Sequence, residues 1–463
     1  MKPEEISSVY FLGIGGIGMS ALARYFKHLG AVVHGYDKTP TALTDQLSRE
    51  GMKIHFEENP DEIPDDTELV IYTPAIPSDN KEFTFFLRKK TRMMKRSEAL
   101  GMISSNYFTI AVAGTHGKTT TSGLIAHILK SAGVPHIAFL GGILKNYGTN
   151  FLIETSGSKP AICVVEADEF DRSFLQLRPD IAIITSADPD HLDIYHTQKE
   201  MLAAFGEFTG KIRKGGSLIL KAGVKIKPLQ KSDYNLFSYS LNKTKASDAT
   251  NSKDFMAAGA VIKQGVYHYD FCSANDVWKD LVLGLPGLFN LENAVAATSA
   301  VFLLGLSRLK IAKALKSYQG VVRRFDLQIK RRDFVYIDDY AHHPEELKAC
   351  IEAVRKMYPG RKITGVFQPH LFSRTLDLAS EFAASLDLLD EVVLLEIYPA
   401  REKPVEGVSS ALILEKLKCK NKKIIEKTKL VKYLKGLKPE VLLTLGAGDI
   451  DQLVKPVRRA FEK

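Results

Sequence analysis

AVAGTHGKTTTSGLIAHILKSAG, residues 111–133, decides how this chain is read. An apolar run turns through Gly114 and Gly117 into Lys118 and Thr119, and a helical pattern follows. Glycine tolerates positive φ and lets the main chain come close to a ligand, so backbone N–H groups from Gly114, Thr115, His116 and Gly117 can wrap phosphates. The N-terminus of the following helix adds its dipole. Lys118 can then reach terminal phosphates, and the Thr119 hydroxyl can ligate the magnesium that neutralises them. Val112 stands where the longer form of such a loop has glycine, so GTHGKT is a shortened triphosphate loop.

Outward from this loop, strand-like apolar runs alternate with helical patterns, as in SVYFLGIG, AVVHGYD, AICVVEAD, IAIITSA, FVYIDDY and VLLTLGAGD. That alternation predicts an α/β chain with mostly parallel sheets covered by helices. Three groups emerge: residues 1–107, 108–320 and 321–463. The stretch 221–285 is polar and broken into short strand-like pieces, and it reads as an antiparallel insertion in the central group. In the first group Gly13, Gly15 and Gly18 form G-x-G-x-x-G between a strand and a helix, and Asp37 closes the next strand-like run. This pattern suits a dinucleotide or any other diphosphate at a helix N-terminus, and also a regulator that binds a nucleotide without chemistry.

Two central strands end in acidic turns, VVEADEFDRSF and TSADPDHLDIYH. Glu166, Asp168 and Glu169 are hard oxygen donors suited to magnesium, and His191 is placed to meet a second cation or the transferring phosphoryl group. The chain has 463 residues, 45% of them hydrophobic and 25% charged, enough for three domains of ordinary globular composition. The net charge of +9 suits anionic substrates but does not call for nucleic acid. Much of the excess lies in 416–438, where lysines alternate with apolar residues as on a solvated face. Cys163, Cys272, Cys350 and Cys419 have neither disulfide nor metal-ligand spacing, which points to a reducing compartment. With no run of about 18 apolar residues and no leader-like N-terminus, no membrane span is expected and a cytoplasmic location is.

GTHGKTT, EADEFD, DPDHLD, LPGLFNLENAVAA, RRFD, DDYAHHP, PHLFSRT, YPARE and GAGD occur in the order found in the Mur ligases, which the chain resembles over nearly its full length. The resemblance implies an N-terminal Rossmann-like domain for a UDP-sugar, a central P-loop ATPase, and a C-terminal Rossmann-like domain that brings the amino acid. By it, Gly15, Gly18 and Asp37 serve the uridine diphosphate. Gly114, Thr115, His116, Gly117, Lys118, Thr119 and Thr120 bind ATP, with Asn290 and Asn293 on the adenine side. Arg323 or Arg324 lies near the phosphates and Asp339 near the ribose. Thr119, Glu166 and His191 hold Mg2+, and His342 and Arg374 take the amino acid. Phe170 and Leu371 depart from the usual serine and arginine of relatives. The second departure leaves carboxylate recognition to Arg374.

The implied reaction joins L-alanine to the carboxylate of UDP-N-acetylmuramate through an acyl phosphate. Lys118, magnesium and arginine offset the repulsion between two anions, and His342 positions or deprotonates the amine. A relative that attaches a whole tripeptide to the same sugar fits the same motifs, and the first glycine loop alone fits a nucleotide-dependent oxidoreductase. As partners we expect the two small substrates, and as quaternary structure a monomer or weak homodimer.

Overall fold

The computed structural model describes residues 2–155, 157, 161–188, 195, 197–229, 233–241, 254–263, 265–274, 276–400 and 402–462. Three sheets are present among them. The first holds β1 (Ser8–Leu12), β2 (Val32–Tyr36), β3 (Lys53–His55), β4 (Leu69–Tyr72) and β5 (Met93–Lys95) in the order β3-β2-β1-β4-β5. All its pairings are parallel, with Ser8 opposite Val32 and Val9 opposite Leu69. This is a Rossmann-type sheet, and β1 feeds the glycine loop and the helix Ile17–His28.

The second sheet comprises β6 (Phe108–Ala113), β7 (His136–Leu144), β8 (Thr149–Glu154), β9 (Ile162–Ala167), β10 (Ile181–Ile184), β11 (Ser217–Lys221), β12 (Asn235–Leu241), β13 (Phe255–Lys263), β14 (Val266–Ser273) and β15 (Asp276–Leu283). Its order is β15-β14-β13-β12-β11-β10-β6-β9-β7-β8. β6 lies between β9 and β10 in parallel register, and residues 109–113 are buried, as a strand covered on both faces must be. The expected antiparallel insertion at 221–285 needs correction. β12 pairs in parallel with both β11 and β13, so the segment begins as a continuation of the parallel sheet. Only β13, β14 and β15, joined by two-residue connections, are forced to run back and forth. Polar turns hid the continuity, because an edge extension is half solvated and lacks the unbroken apolar runs of central strands.

The third sheet has β16 (Asp326–Lys330), β17 (Val335–Asp339), β18 (Ile363–Phe367), β19 (Glu391–Leu394), β20 (Lys422–Ile424) and β21 (Val441–Leu445), in the order β16-β17-β21-β18-β19-β20. Only β16 runs antiparallel to its neighbour. The chain divides into two compact units. One is the chain up to Tyr318 except 262–267 and 285–291, and the other holds those short segments and the chain from Gln319 onward.

Within the first unit, one hydrophobic core runs from the first sheet into the second. Tyr25 packs against Phe139 and Phe151 with ring centroids 5.6 and 6.3 Å apart. Beside these rings is a buried polar lock. Asn150, at the end of GGILKNYGTN, donates to the Ile17 carbonyl (2.5 Å) and the Ser20 hydroxyl (2.9 Å), and its carbonyl accepts from Arg24. Arg24 in turn forks onto Glu50, both contacts 2.8 Å. Asn150→Ala strands an arginine donor and a buried carbonyl, each costing roughly 1–3 kcal/mol. We expect an earlier urea-unfolding midpoint for this variant, with the far-ultraviolet spectrum of the native protein unchanged.

Candidate active site

β6 ends at Ala113, and the backbone takes φ +133° at Gly114 and +84° at Gly117 before Lys118 opens the helix Lys118–Ser131. The left-handed conformation at Gly117 turns the chain sharply enough for Lys118 to reach back over the loop. The side chain of Asn293, from the helix Leu288–Leu303, also lies so close that a Cβ on Gly117 would sit 2.5 Å from its Oδ1. The end of β10 straps the loop from the other side. Thr185 donates to the Ala113 carbonyl (3.1 Å) and to that of His116, while Ser186 Oγ accepts from the His116 N–H (2.7 Å) and bonds the Thr115 hydroxyl (2.9 Å). Thr120 is buried on the first turn of the helix.

Lys118 Nζ donates to the Gly114 carbonyl (2.6 Å) and to both oxygens of Glu169 (2.9 and 2.8 Å). Burial alone would lower its affinity for a proton. The carboxylates of Glu169, Asp168 and Glu166 outweigh that and hold the ammonium above the ordinary lysine range. Glu166, at the end of β9, accepts from Thr119 Oγ1 (2.9 Å) and from the Gly141 N–H (2.8 Å). Thr119 and Glu166 thus place two hard oxygens side by side at the loop, a donor set that fits magnesium. Among the described residues no group of three or more His, Cys, Asp or Glu could hold a metal. A magnesium that takes most of its ligands from phosphate and water needs none.

Asp168 and Glu169 of EADEFD are engaged elsewhere. Asp168 accepts from Arg96 (2.8 Å); burial raises its pKa, but Arg96 and Lys118 outweigh this and hold the carboxyl below the ordinary range. Glu169, fully buried, serves Lys118. Three acids in four residues gave no sequence signal for this division, which depends on the direction each side chain takes from the turn. His191 lies outside the described residues.

The first glycine loop is built as its spacing suggests. The Gly15 N–H donates to Asp37 Oδ2 (2.8 Å), joining two of the proposed sugar-nucleotide residues. Gly18 lies under Arg96, whose Nη1 would be 2.5 Å from a Cβ there. Arg96, which sequence reasoning missed, therefore stands between this loop and Asp168.

In the second unit the C-terminal motifs converge on the carboxyl ends of the parallel strands. Asp339 accepts from the N–H groups of Phe325 (2.6 Å) and Ala341 (2.7 Å), tying RRFD to DDYAHHP. Arg323 contacts Asp338 (3.3 Å) and the Gly446 carbonyl, and Arg324 lies 4.7 Å over the Tyr340 ring. The His342 N–H donates to Glu346 (3.0 Å), and the His342 and His370 rings are 5.9 Å apart. Arg374 sits half-buried in the short helix Phe372–Asp377, entered through Leu371 at φ +71°. Glu402 holds the N-terminus of that helix by accepting from Phe372 (2.5 Å) and Ser373 (3.0 Å). Asn290 donates to the Pro286 carbonyl (2.6 Å), closing the turn before its helix.

A nucleotide loop, a second glycine loop and a third Rossmann-like sheet define a three-domain nucleotide-dependent ligase, and the chain belongs to the Mur ligase family. Residues 8–108 match the profile described as "Mur ligase family, catalytic domain", 112–301 "Mur ligase middle domain", and 323–448 "Mur ligase, glutamate ligase domain". The chain is 46% identical over 467 residues to the UDP-N-acetylmuramate–L-alanine ligase of Flavobacterium psychrophilum, covering 100% of both. Identity to the ligase of that name from Porphyromonas gingivalis is 48% over 460 residues, covering 98% of this chain and 99% of that one. The crystal structure of UDP-N-acetylmuramate-alanine ligase from Thermotoga maritima superposes with a TM-score of 0.82 at 27% identity, covering 98% and 99% of the two chains. A murein peptide ligase from Psychrobacter arcticus shares the fold with a TM-score of 0.70 at 21% identity, over 98% of this chain.

Burial pushes the carboxyls of Asp338 and Asp339 up to about 6, against the opposing pull of Arg323 and Arg324 respectively. A raised acid pKa means the folded state keeps protons that the unfolded chain releases. The stability these groups contribute is therefore full below the ordinary value of 3.8 and lost as pH rises to about 6. In Asp338→Asn the fall in unfolding midpoint between those pH values should be shallower, measured by denaturant titration at each pH; an unchanged slope removes Asp338 from the account.

Proposed function

We propose that this chain joins L-alanine to the carboxylate of UDP-N-acetylmuramate, converting ATP to ADP and phosphate, as a step in peptidoglycan precursor synthesis. The observation that carries the reading is full-length likeness to ligases of that name, combined with a loop lysine and a Thr119–Glu166 oxygen pair at one helix N-terminus. A carboxylate is a poor acylating agent, so a muramoyl carboxylate oxygen first attacks the terminal phosphorus of ATP. The bond to the ADP oxygen breaks and an acyl phosphate forms. The amine of alanine then attacks the acyl carbon, phosphate leaves with the C–O bonding pair, and the amine loses a proton.

The two anions of the first step repel each other, and the Lys118 ammonium offsets the charge on the phosphoryl oxygens. Magnesium, held by Thr119 and Glu166, would add Lewis-acid neutralisation at the phosphates. The Gly15–Asp37 loop binds the UDP moiety and the Gly114–Gly117 loop cradles ATP. Asn290, Asn293, Arg324 and Asp339 serve the nucleotide, and His342 and Arg374 the amino acid. His191 is assigned to the same metal and phosphoryl group by motif alone. The substrates place the enzyme in the cytoplasm, where these precursors are made.

Phosphate release by the purified protein with ATP and magnesium should require both UDP-N-acetylmuramate and L-alanine. Release with a tripeptide and none with alanine would reassign the chain to the recycling reaction, and tight NAD binding would point away from ligation. Lys118→Ala should stay folded and lose turnover by about 10²-fold or more, since a preorganised charge acts chiefly in the transition state. Arg374→Lys cannot reproduce a forked contact to the alanine carboxylate, so steady-state kinetics should show the KM for alanine raised by roughly tenfold and that for ATP little changed.

A further inference from the structure

We propose that Glu169 is a positioning residue for the phosphate-loop lysine, fixing where the Lys118 ammonium stands above the loop. This rests on the assignment of Lys118 to the ATP phosphates. An ammonium has three N–H donors. Those of Lys118 find three close acceptors: the Gly114 carbonyl at 2.6 Å and the two Glu169 oxygens at 2.9 and 2.8 Å. A flexible four-carbon stem is thereby held at one point.

The turn that delivers Glu169 is strained and heavily braced. Asp171 and Arg172 follow one another at φ +53°, a conformation that non-glycine residues adopt at a cost and keep only when their surroundings enforce it. The enforcement is visible. The Glu169 carbonyl accepts from the Tyr195 hydroxyl (2.5 Å) and the Arg172 N–H (3.0 Å), and the Asp168 carbonyl accepts from Phe174 (2.9 Å). From the end of β5, Lys95 reaches Asp171 at 3.4 Å, and Arg96, opening the next helix, holds the Asp168 carboxylate at 2.8 Å. The element that places Glu169 is thus anchored beside Gly18 in the first glycine loop, and the position of Lys118 depends on both sheets.

A carboxylate beside a phosphate-binding cation repels the phosphates, so affinity for nucleotide gives no reason for its presence. Position does. Removing the charge should therefore separate binding from turnover. In Glu169→Gln we expect kcat at saturating substrates to fall by about tenfold or more, the scale of a misplaced reacting group. The Kd for ADP with magnesium, measured by calorimetry, should stay unchanged or become smaller. Glu169→Asp keeps the charge but draws it back by one methylene, and should show smaller shifts in the same sense. A purely structural role predicts that turnover and affinity fall together. That result, or kcat within about twofold of the native value in whichever variant folds, overturns the proposal. Native turnover in folded Lys118→Ala would instead remove the lysine assignment itself. Loss in Lys118→Ala with native turnover in Glu169→Gln removes Glu169 alone.

Discussion

A buried ammonium is the constraint on which the first unit depends. Taking a lysine head group out of water is expensive unless charge and hydrogen bonds replace the lost hydration. Lys118 is 14% exposed and its partner Glu169 is fully buried, so each is the other's main compensation for lost hydration. The pair forms because the loop turns Lys118 back over Gly114 and the EADEFD turn delivers Glu169 beside it, at the ends of the paired strands β6 and β9. Thr185 and Ser186 on the other flank stop the loop from relaxing away. What results is a rigid cradle of backbone donors around a fixed positive charge.

The first sheet is part of this arrangement. Asn150 and Arg24 lock the helix Ile17–His28 to the β7–β8 hairpin, and Arg96 links the neighbourhood of the first glycine loop to Asp168. Both contacts are polar and directional, unlike the apolar packing around them, and the one between Asn150 and Arg24 is buried. A hydrophobic interface alone would permit sliding, whereas hydrogen bonds between defined atoms fix register. For a reaction in which a carboxylate must meet a terminal phosphorus, a fixed distance between the two glycine loops is worth more than additional affinity.

The second unit solves a different problem with similar means. Gly446 and Gly448 bring the main chain against Gln368 and Tyr398, and Gln368 bonds Asp449 at 2.7 Å and the Ile450 N–H at 2.8 Å. GAGD therefore draws together PHLFSRT, YPARE and, through Arg323, RRFD. Asp339 has both oxygens committed to backbone N–H groups, so it shapes the ends of β16 and β17 as well as carrying charge.

The alternation of apolar runs and helical patterns was enough to determine α/β sheets, because central parallel strands are buried on both faces and leave an unmistakable periodicity. The glycine-lysine-threonine run determined the strand–loop–helix turn for an equally local reason: the positive φ of two glycines and a helix N-terminus all lie within seven residues. At 221–285 strand-like pieces were legible but the parallel pairing of β12 was not, since short half-solvated strands do not record their partners. The roles of Arg96, Asn150, Asp168 and Glu169 were decided only by tertiary structure. The side-chain hydrogen-bond partners that decide these roles lie 51 to 133 residues away in sequence order, as Glu169 with Lys118 and Asn150 with Ile17 illustrate. Which of three neighbouring acids meets Thr119, an arginine or a lysine depends on the direction each side chain takes at the end of β9 and in the turn after it, and no local pattern records it.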